Sequence, residues 1–198
     1  LREARLAVKL NHPGIVRVLD CGQRDEHYYI VMEFVDGQSL EDHIKERGSL
    51  SVDRSLQIVE EAARALGTAY DQVGVIHRDL KPANILLTTS GQVKLADLGL
   101  AKIAVQPQPD ATVDYSMDQT QGGVALGTPS YMSPEQFIDA GAVDHRADIY
   151  SLGTSLYHMI SGHLPFKGDS IFSLLKQVSE ADPPPLPAHV PSVVEELV

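Results

Sequence analysis

The chain has 198 residues, 43% of them hydrophobic, with a formal net charge of −11 and one cysteine. That size and composition suit one domain with a globular core. The acidity argues against binding a nucleic-acid backbone, and Cys21 alone excludes an internal disulfide framework and fits a reducing compartment.

Residues 2–10 read as the remainder of a helix, with Leu6 and Leu10 at helical spacing, ended by Asn11-His12-Pro13-Gly14. Ile15–Leu19 and Tyr28–Met32 are β-branched and aromatic runs, so two strands are expected there. Ser39 is placed as the N-cap of a short helix to about Arg47, with Asp42 at N3. A longer helix is expected after Ser51. Its apolar positions Leu56, Val59, Ala63, Leu66 and Tyr70 predict one buried stripe. Ile85–Leu87 and Val93–Ala96 flank Thr89-Ser90-Gly91-Gln92 and read as a hairpin presenting Asn84 and Asp97 from neighbouring strand ends. Residues 103–126 lack periodicity and read as a mobile loop. Helices resume near Asp144–Ser161 and Ser170–Ser179. Pro183 to Pro187 force an extended connector, and a last helix starts near Ser192. No apolar run of about 18 residues is present, so no membrane span is expected, and no signal-peptide pattern is visible.

The run His77-Arg78-Asp79-Leu80-Lys81-Pro82-Ala83-Asn84 concentrates the chemistry. Asp79 offers a carboxylate able to take a proton from an attacking hydroxyl, and Lys81 a cation for a moving phosphate. Asn84 adds a neutral oxygen for a hard divalent ion. Asp97-Leu98-Gly99 follows thirteen residues after Asn84. Then come Gly127-Thr128-Pro129-Ser130-Tyr131-Met132-Ser133-Pro134-Glu135, Asp148-Ile149-Tyr150-Ser151-Leu152-Gly153 and Gly162-His163-Leu164-Pro165-Phe166. In this order the motifs resemble the protein kinases. With Val31–Gly37 and Ser133–Gln136, the chain is similar to the bacterial, eukaryotic-like serine/threonine branch over essentially its whole length.

The resemblance implies an α+β, two-lobed kinase fold truncated at both ends. Residues 1–34 would form a partial small lobe, 35–37 the hinge, and 38–198 a mostly helical large lobe with the activation segment at 97–135. The Gly-rich loop and strand-borne lysine are expected upstream of Leu1, so the excerpt alone is expected to be inactive.

The implied activity is transfer of the ATP γ-phosphate to protein serine or threonine, with ATP and Mg2+ as cofactors. Asp79, Lys81, Asn84 and Thr128 are the implied catalytic residues, and Asn84 and Asp97 the magnesium ligands. Glu3 would pair with the missing lysine. Met32 would stand behind the adenine, Glu33 and Val35 would bond its edge, and Leu86 and Ala96 would lie near the base. Arg78 and Lys102 would receive a phosphorylated loop residue, Thr120 being favoured over Thr112, Tyr115 and Ser116.

Four residues have implied structural roles. His77 packs in the core, and Leu98 fills the slot against it that is usually Phe. Asp148 bonds backbone N–H groups of the His77–Arg78 turn. Glu135 is expected as a buried carboxylate whose arginine partner lies beyond Val198, its unpaired burial costing about 3–5 kcal/mol. Ala83 stands where basic-substrate kinases often carry Glu, which removes that reason to expect basic substrates.

Implied partners are protein substrates and a second kinase copy for trans-autophosphorylation, with no nucleic acid and no membrane contact. The implied compartment is the cytoplasm, with a membrane span elsewhere in a longer protein left open. Two alternatives stay open. A pseudokinase scaffold would follow if the upstream lysine were lost. A small-molecule phosphotransferase shares H-x-D-x-x-x-x-N but lacks the Gly127–Glu135 segment and Lys81-Pro82.

Overall fold

The computed structural model describes residues 8–25, 27–98, 129–139 and 143–198. Strands β1 (Val18–Arg24) and β2 (His27–Met32) form an antiparallel hairpin, with Cys21 opposite Ile30 and Gly22 opposite Tyr29. The first strand lies later than expected. Ile15 and Val16 are buried, and their backbone is used elsewhere: Ile15 bridges Leu95, and the Val16 N–H donates to the Leu95 carbonyl at 2.8 Å. Asp20–Arg24 carries little β-branched signal, and it becomes a strand by pairing with the aromatic run opposite.

A second sheet has the order β3 (Gly37–Ser39), β4 (Ile85–Thr88), β5 (Val93–Leu95), all antiparallel. The predicted hairpin is present, with Ile85 opposite Leu95 and Leu87 opposite Val93. The third strand was not expected. Gly37 pairs with Thr88 so closely that a Cβ there would collide with the Leu87 carbonyl.

Helix α1 (Leu40–Arg47) starts as expected. The Ser39 hydroxyl accepts from the Asp42 N–H at 3.0 Å, and Gly48, at φ 80°, closes the helix. Helix α2 (Val52–Val73) is capped by Ser51 and by Gly74 at φ 67°. Its buried stripe is Ser55, Ile58, Ala62, Ala65 and Ala69, one residue before the predicted set. Leu56, Val59 and Leu66 are only partly buried, and Ala63 and Tyr70 are exposed. The spacing was right and the phase wrong. The deep face is built of small residues, because α4 (Arg146–Ser161) packs on it and brings its own Ser151 and Ser155. The Ser55 and Ser155 hydroxyls each donate to a carbonyl four residues back, and the one Ser151 O–H is shared between the Ala147 and Tyr131 carbonyls, so burial leaves those donors bonded.

Between β5 and α4 the described residues include the short helix α3 (Pro134–Ile138). Helix α5 (Ile171–Glu180) lies where it was expected and is capped by Ser170. The proline-rich connector has no helix or strand through Pro187, turns where the Val190 N–H donates to the Pro187 carbonyl at 2.8 Å, and buries Leu186 and Val190 before α6 (Ser192–Glu195). Phe166, Leu174 and Val178 form a satellite core with Phe137 and Tyr150. The helical reading of residues 2–7 and the loop reading of 103–126 lie outside the described residues.

Two glycine substitutions should act in opposite directions. Gly37→Ala should cost about 1–3 kcal/mol through its clash with strand β4. Gly67→Ala, inside α2 with open space at the Cβ position, should gain about 0.5–1 kcal/mol. Urea unfolding midpoints of the two variants check both signs.

Candidate active site

The loop from α2 to β4 turns at His77-Arg78, and Arg78 has φ 64°. A left-handed arginine costs about 1–2 kcal/mol, so something must hold it. Asp148, in the first turn of α4, accepts the His77 N–H with Oδ2 and the Arg78 N–H with Oδ1, both at 2.8 Å. Its carboxylate is buried, the residue being 5% exposed. The Gln136 side chain donates to the Arg78 carbonyl at 2.8 Å. One peptide turn is thus held from both sides by groups far away in sequence. Asp148 does what the sequence implied. Gln136 was missed, because a glutamine has no signature of its own.

His77 is fully buried. Its Nε2 donates to the Ala96 carbonyl at 2.9 Å, and its Nδ1 faces the Asp79 N–H at 3.4 Å. One partner only accepts and the other only donates, so a neutral ring with the proton on Nε2 fits. Burial pushes its pKa down, against the opposing pull of the Asp148 carboxylate. A ring so enclosed suits packing rather than proton transfer. Leu98, two residues past Ala96, is buried in the main core.

Past the turn, the side chains converge. Lys81 Nζ lies 2.9 Å from Asp79 Oδ2 and 3.1 Å from Oδ1. Pro82–Asn84 winds a 3-10 turn with the proline at its start, where a missing N–H costs nothing. That turn buries Asn84 and aims its Nδ2 at the Asp79 carbonyl at 2.7 Å and at Asp79 Oδ2 at 3.2 Å. With the amide nitrogen so engaged, Oδ1 is the Asn84 atom turned from Asp79. The Asn84 carbonyl accepts the Ala96 N–H at 2.9 Å, which brings the next residue, Asp97, to the same end of the hairpin. Asp97 is exposed, with φ 56°. Asn84 and Asp97 suit magnesium, which takes few protein oxygens. Among the described residues no cluster of three His, Cys, Asp or Glu forms a metal cage.

The sequence matches the family described as "Protein kinase domain" over residues 1–190. The chain belongs to the protein kinase family. It is 41% identical over 195 residues to serine/threonine-protein kinase pkn2 of Myxococcus xanthus, covering 97% of this chain and 22% of that one. It is 40% identical over 201 residues to PknA of Mycobacterium tuberculosis, covering 99% and 44%. To PknB of the same species it is 40% identical over 193 residues, covering 95% and 29%. It therefore spans less than half the length of each of these relatives. A crystal structure of Rad53 1-466 in complex with AMP-PNP superposes with a TM-score of 0.68 at 32% identity, over 89% of this chain and 41% of that one. The fold is α+β and kinase-like, with a small β portion beside a mostly helical large one.

Within this kinase domain, Met32, Glu33 and Val35 of the implied nucleotide-side residues lie where β2 leads into β3, whereas Leu86 is in β4 and Ala96 follows β5. Met32 ends β2 and is exposed, while Val35, Leu86 and Ala96 are half-buried. The Glu33 N–H donates to the Arg17 carbonyl at 2.9 Å, and its carboxylate accepts from the Arg17 N–H at 3.0 Å. Lys94 Nζ sits 2.5 Å from the same carboxylate. That hydrogen bond holds the Glu33 carboxyl below its usual range. The Glu33–Lys94 pair was missed. Its only signal is Lys94 alternating between buried Val93 and Leu95.

Glu135 needs correction. It was expected to be buried, but it is exposed in the first turn of α3. Water solvates its carboxylate, so the cost of an unpaired buried charge does not arise. Glu3, Lys102, Thr120 and Thr128 lie outside the described residues.

The 3-10 turn Pro129–Tyr131 is pinned to α4 twice. Ser151 Oγ donates to the Tyr131 carbonyl at 2.8 Å, and the Tyr131 hydroxyl is hydrogen-bonded to His158 Nδ1 at 2.7 Å. Burial raises the Tyr131 pKa, so its hydroxyl stays protonated. Burial lowers the His158 pKa, with Glu41 opposing and His163 and Lys167 assisting.

Asp148→Asn puts an amide NH2 against one of the two backbone donors. It should cost about 1.5–3 kcal/mol in urea unfolding. His77 and His158 are both held below the ordinary 6.5. Their neutral forms belong to the folded state, so their contribution is complete above the unfolded pKa and is lost as pH falls through the lowered folded values. The unfolding midpoint should drop between about pH 7 and pH 5, with a shallower drop in His158→Gln.

Proposed function

We propose that this chain is the catalytic part of a serine/threonine protein kinase that transfers the ATP γ-phosphate to a protein hydroxyl. The observation that carries the reading is the Asp79 carboxylate, held between Lys81 Nζ and Asn84 Nδ2 on a turn fixed by Asp148. Phosphoryl transfer needs positioning and charge neutralisation more than covalent help from the protein. Asp79 orients the acceptor hydroxyl and takes its proton as the acceptor oxygen bonds the γ-phosphorus. The bond from that phosphorus to the bridging oxygen breaks, and ADP leaves. Lys81 bridges Asp79 to the transferring group. Thr128 bonds the same pair. Magnesium, when bound, neutralises phosphate charge; Asn84 Oδ1 and Asp97 are the oxygens that would hold it.

The nucleotide's adenine lies against Met32, Glu33, Val35, Leu86 and Ala96, with Glu3 serving the phosphate-side lysine. In this reading residues 1–34 belong to the small lobe, 35–37 to the hinge, and 38–198 to the large lobe with the activation segment at 97–135. Arg78 and Lys102 receive phosphorylated Thr120, supplied by a second kinase copy acting in trans. The substrates are proteins and the compartment is the cytoplasm. No helix among the described residues is long and apolar enough to cross a membrane.

Radiolabelled transfer by the full-length protein, offered protein and small-molecule acceptors, tests the assignment. Label should enter serine and threonine of protein only. Asp79→Asn should reduce transfer by roughly a thousandfold or more while nucleotide binding stays within about twofold. Undiminished transfer by that variant would remove Asp79 from its role.

A further inference from the structure

Beside β3 and β4 lies an open groove of about 510 Å³ that contains none of the catalytic, metal-binding or adenine-side residues assigned above, although Asp36 and Gly37 of the hinge line one end of it. Helix α1, the first turn of α2 and the β4–β5 turn enclose it. We propose that this groove docks an acidic linear segment of the protein substrate. The proposal rests on the kinase reading for its purpose, and on the groove's own chemistry for its selectivity.

The charges come first. In a chain with 27 acidic and 16 basic residues, this groove reverses the balance. Arg47 and Arg54 line it, against the single carboxylate of Asp36. The Asp36 carboxylate is engaged by the Thr89 hydroxyl at 3.4 Å. Arg54 is preset: its Nη2 donates to the Gly91 carbonyl at 2.6 Å and its Nη1 to Gln57 Oε1 at 3.4 Å. A guanidinium has five N–H donors, so these two bonds fix its plane and leave others for a carboxylate. Arg47 is exposed in the last turn of α1.

His43 adds a donor. Its Nδ1 lies 2.9 Å from the Gln38 amide nitrogen, which can only donate. The ring proton therefore sits on Nε2. Two guanidinium groups and one imidazole N–H favour carboxylates and reject a basic segment. Leu87 and Gly37 supply a narrow apolar strip beside them, suited to a side chain or two of an extended peptide.

Position gives the groove its use. Strand β4 begins directly after Asn84. Leu87 is three residues further on, about 10 Å along the strand. A segment held here keeps the rest of its chain near the catalytic loop and raises the acceptor's effective concentration.

The test uses the full-length protein and a fluorescein-labelled decapeptide in which Glu alternates with Leu. A Gln-for-Glu peptide is the control. Anisotropy should show binding of the Glu peptide that weakens with salt, and little binding of the Gln peptide. Arg47→Glu should weaken Glu-peptide binding by roughly fivefold to tenfold, and Arg47→Gln by less. In turnover, a serine acceptor fused to the Glu segment should show a raised KM in Arg47→Glu with kcat unchanged, and the untailed acceptor should show neither change. Equal binding of the two peptides, or unaltered binding by Arg47→Glu, would overturn the proposal. Loss of transfer to both acceptors with acid-selective binding intact would count against the kinase reading and leave the groove's selectivity established.

Discussion

A single carboxylate organises the end of this domain that carries the candidate site. Asp148 holds two consecutive backbone N–H groups of the His77–Arg78 turn, and the second belongs to a residue with positive φ. Hydrogen bonds to a buried, charged acceptor are among the stronger ones available. They offset the backbone strain and fix where Asp79 begins. The residues from Asp79 to Asn84 then interlock through their own side chains, so the loop's shape follows from how Asp148 is delivered.

That delivery is a matter of helix packing. Asp148 is useful only if α4 lies at the right height and distance from the end of α2. The small residues on the facing surfaces set that distance, and the hydroxyls among them bond within their own helix or to Tyr131. On the other side, residues 14–17 bond to Leu95 and Glu33, which ties the first sheet to the second. The site therefore lies where a helix pair and a stitched pair of sheets meet. Loop sequence alone would not hold it there.

Much of this was legible in the sequence, for identifiable reasons. The helix start at Ser39 could be read because a hydroxyl cap is a local device, and the starts near Ser51 and Ser170 were also placed, the structure showing that these serines cap as well. The β4–β5 hairpin was legible from its turn residues, and the family from the ordered run His77–Asn84 and the motifs after it. What escaped was set by partners distant in sequence. The α2 stripe was misphased because larger apolar side chains outweighed alanine in the pattern, whereas close helix contact favours alanine. Strand β1 was displaced because the segment at Gly14–Val16 pairs with β5 instead, the Gly14 carbonyl and the Val16 N–H both bonding Leu95. Glu135 was expected buried from its motif, yet its surroundings among the described residues leave it in water. Gln136 and the Lys94–Glu33 pair could be recognised only once the chain was folded.

The alanine face of α2 has a consequence for how sequence change propagates. Ala62, Ala65 and Ala69 are buried and carry no polar side-chain atom. They nevertheless act as spacers whose thickness sets the reach of a carboxylate on the neighbouring helix. Enlarging one by a few methylenes would tilt that neighbour and lift its acid from the turn. Loss of turnover could then originate at a position that no inspection of the reaction centre would single out.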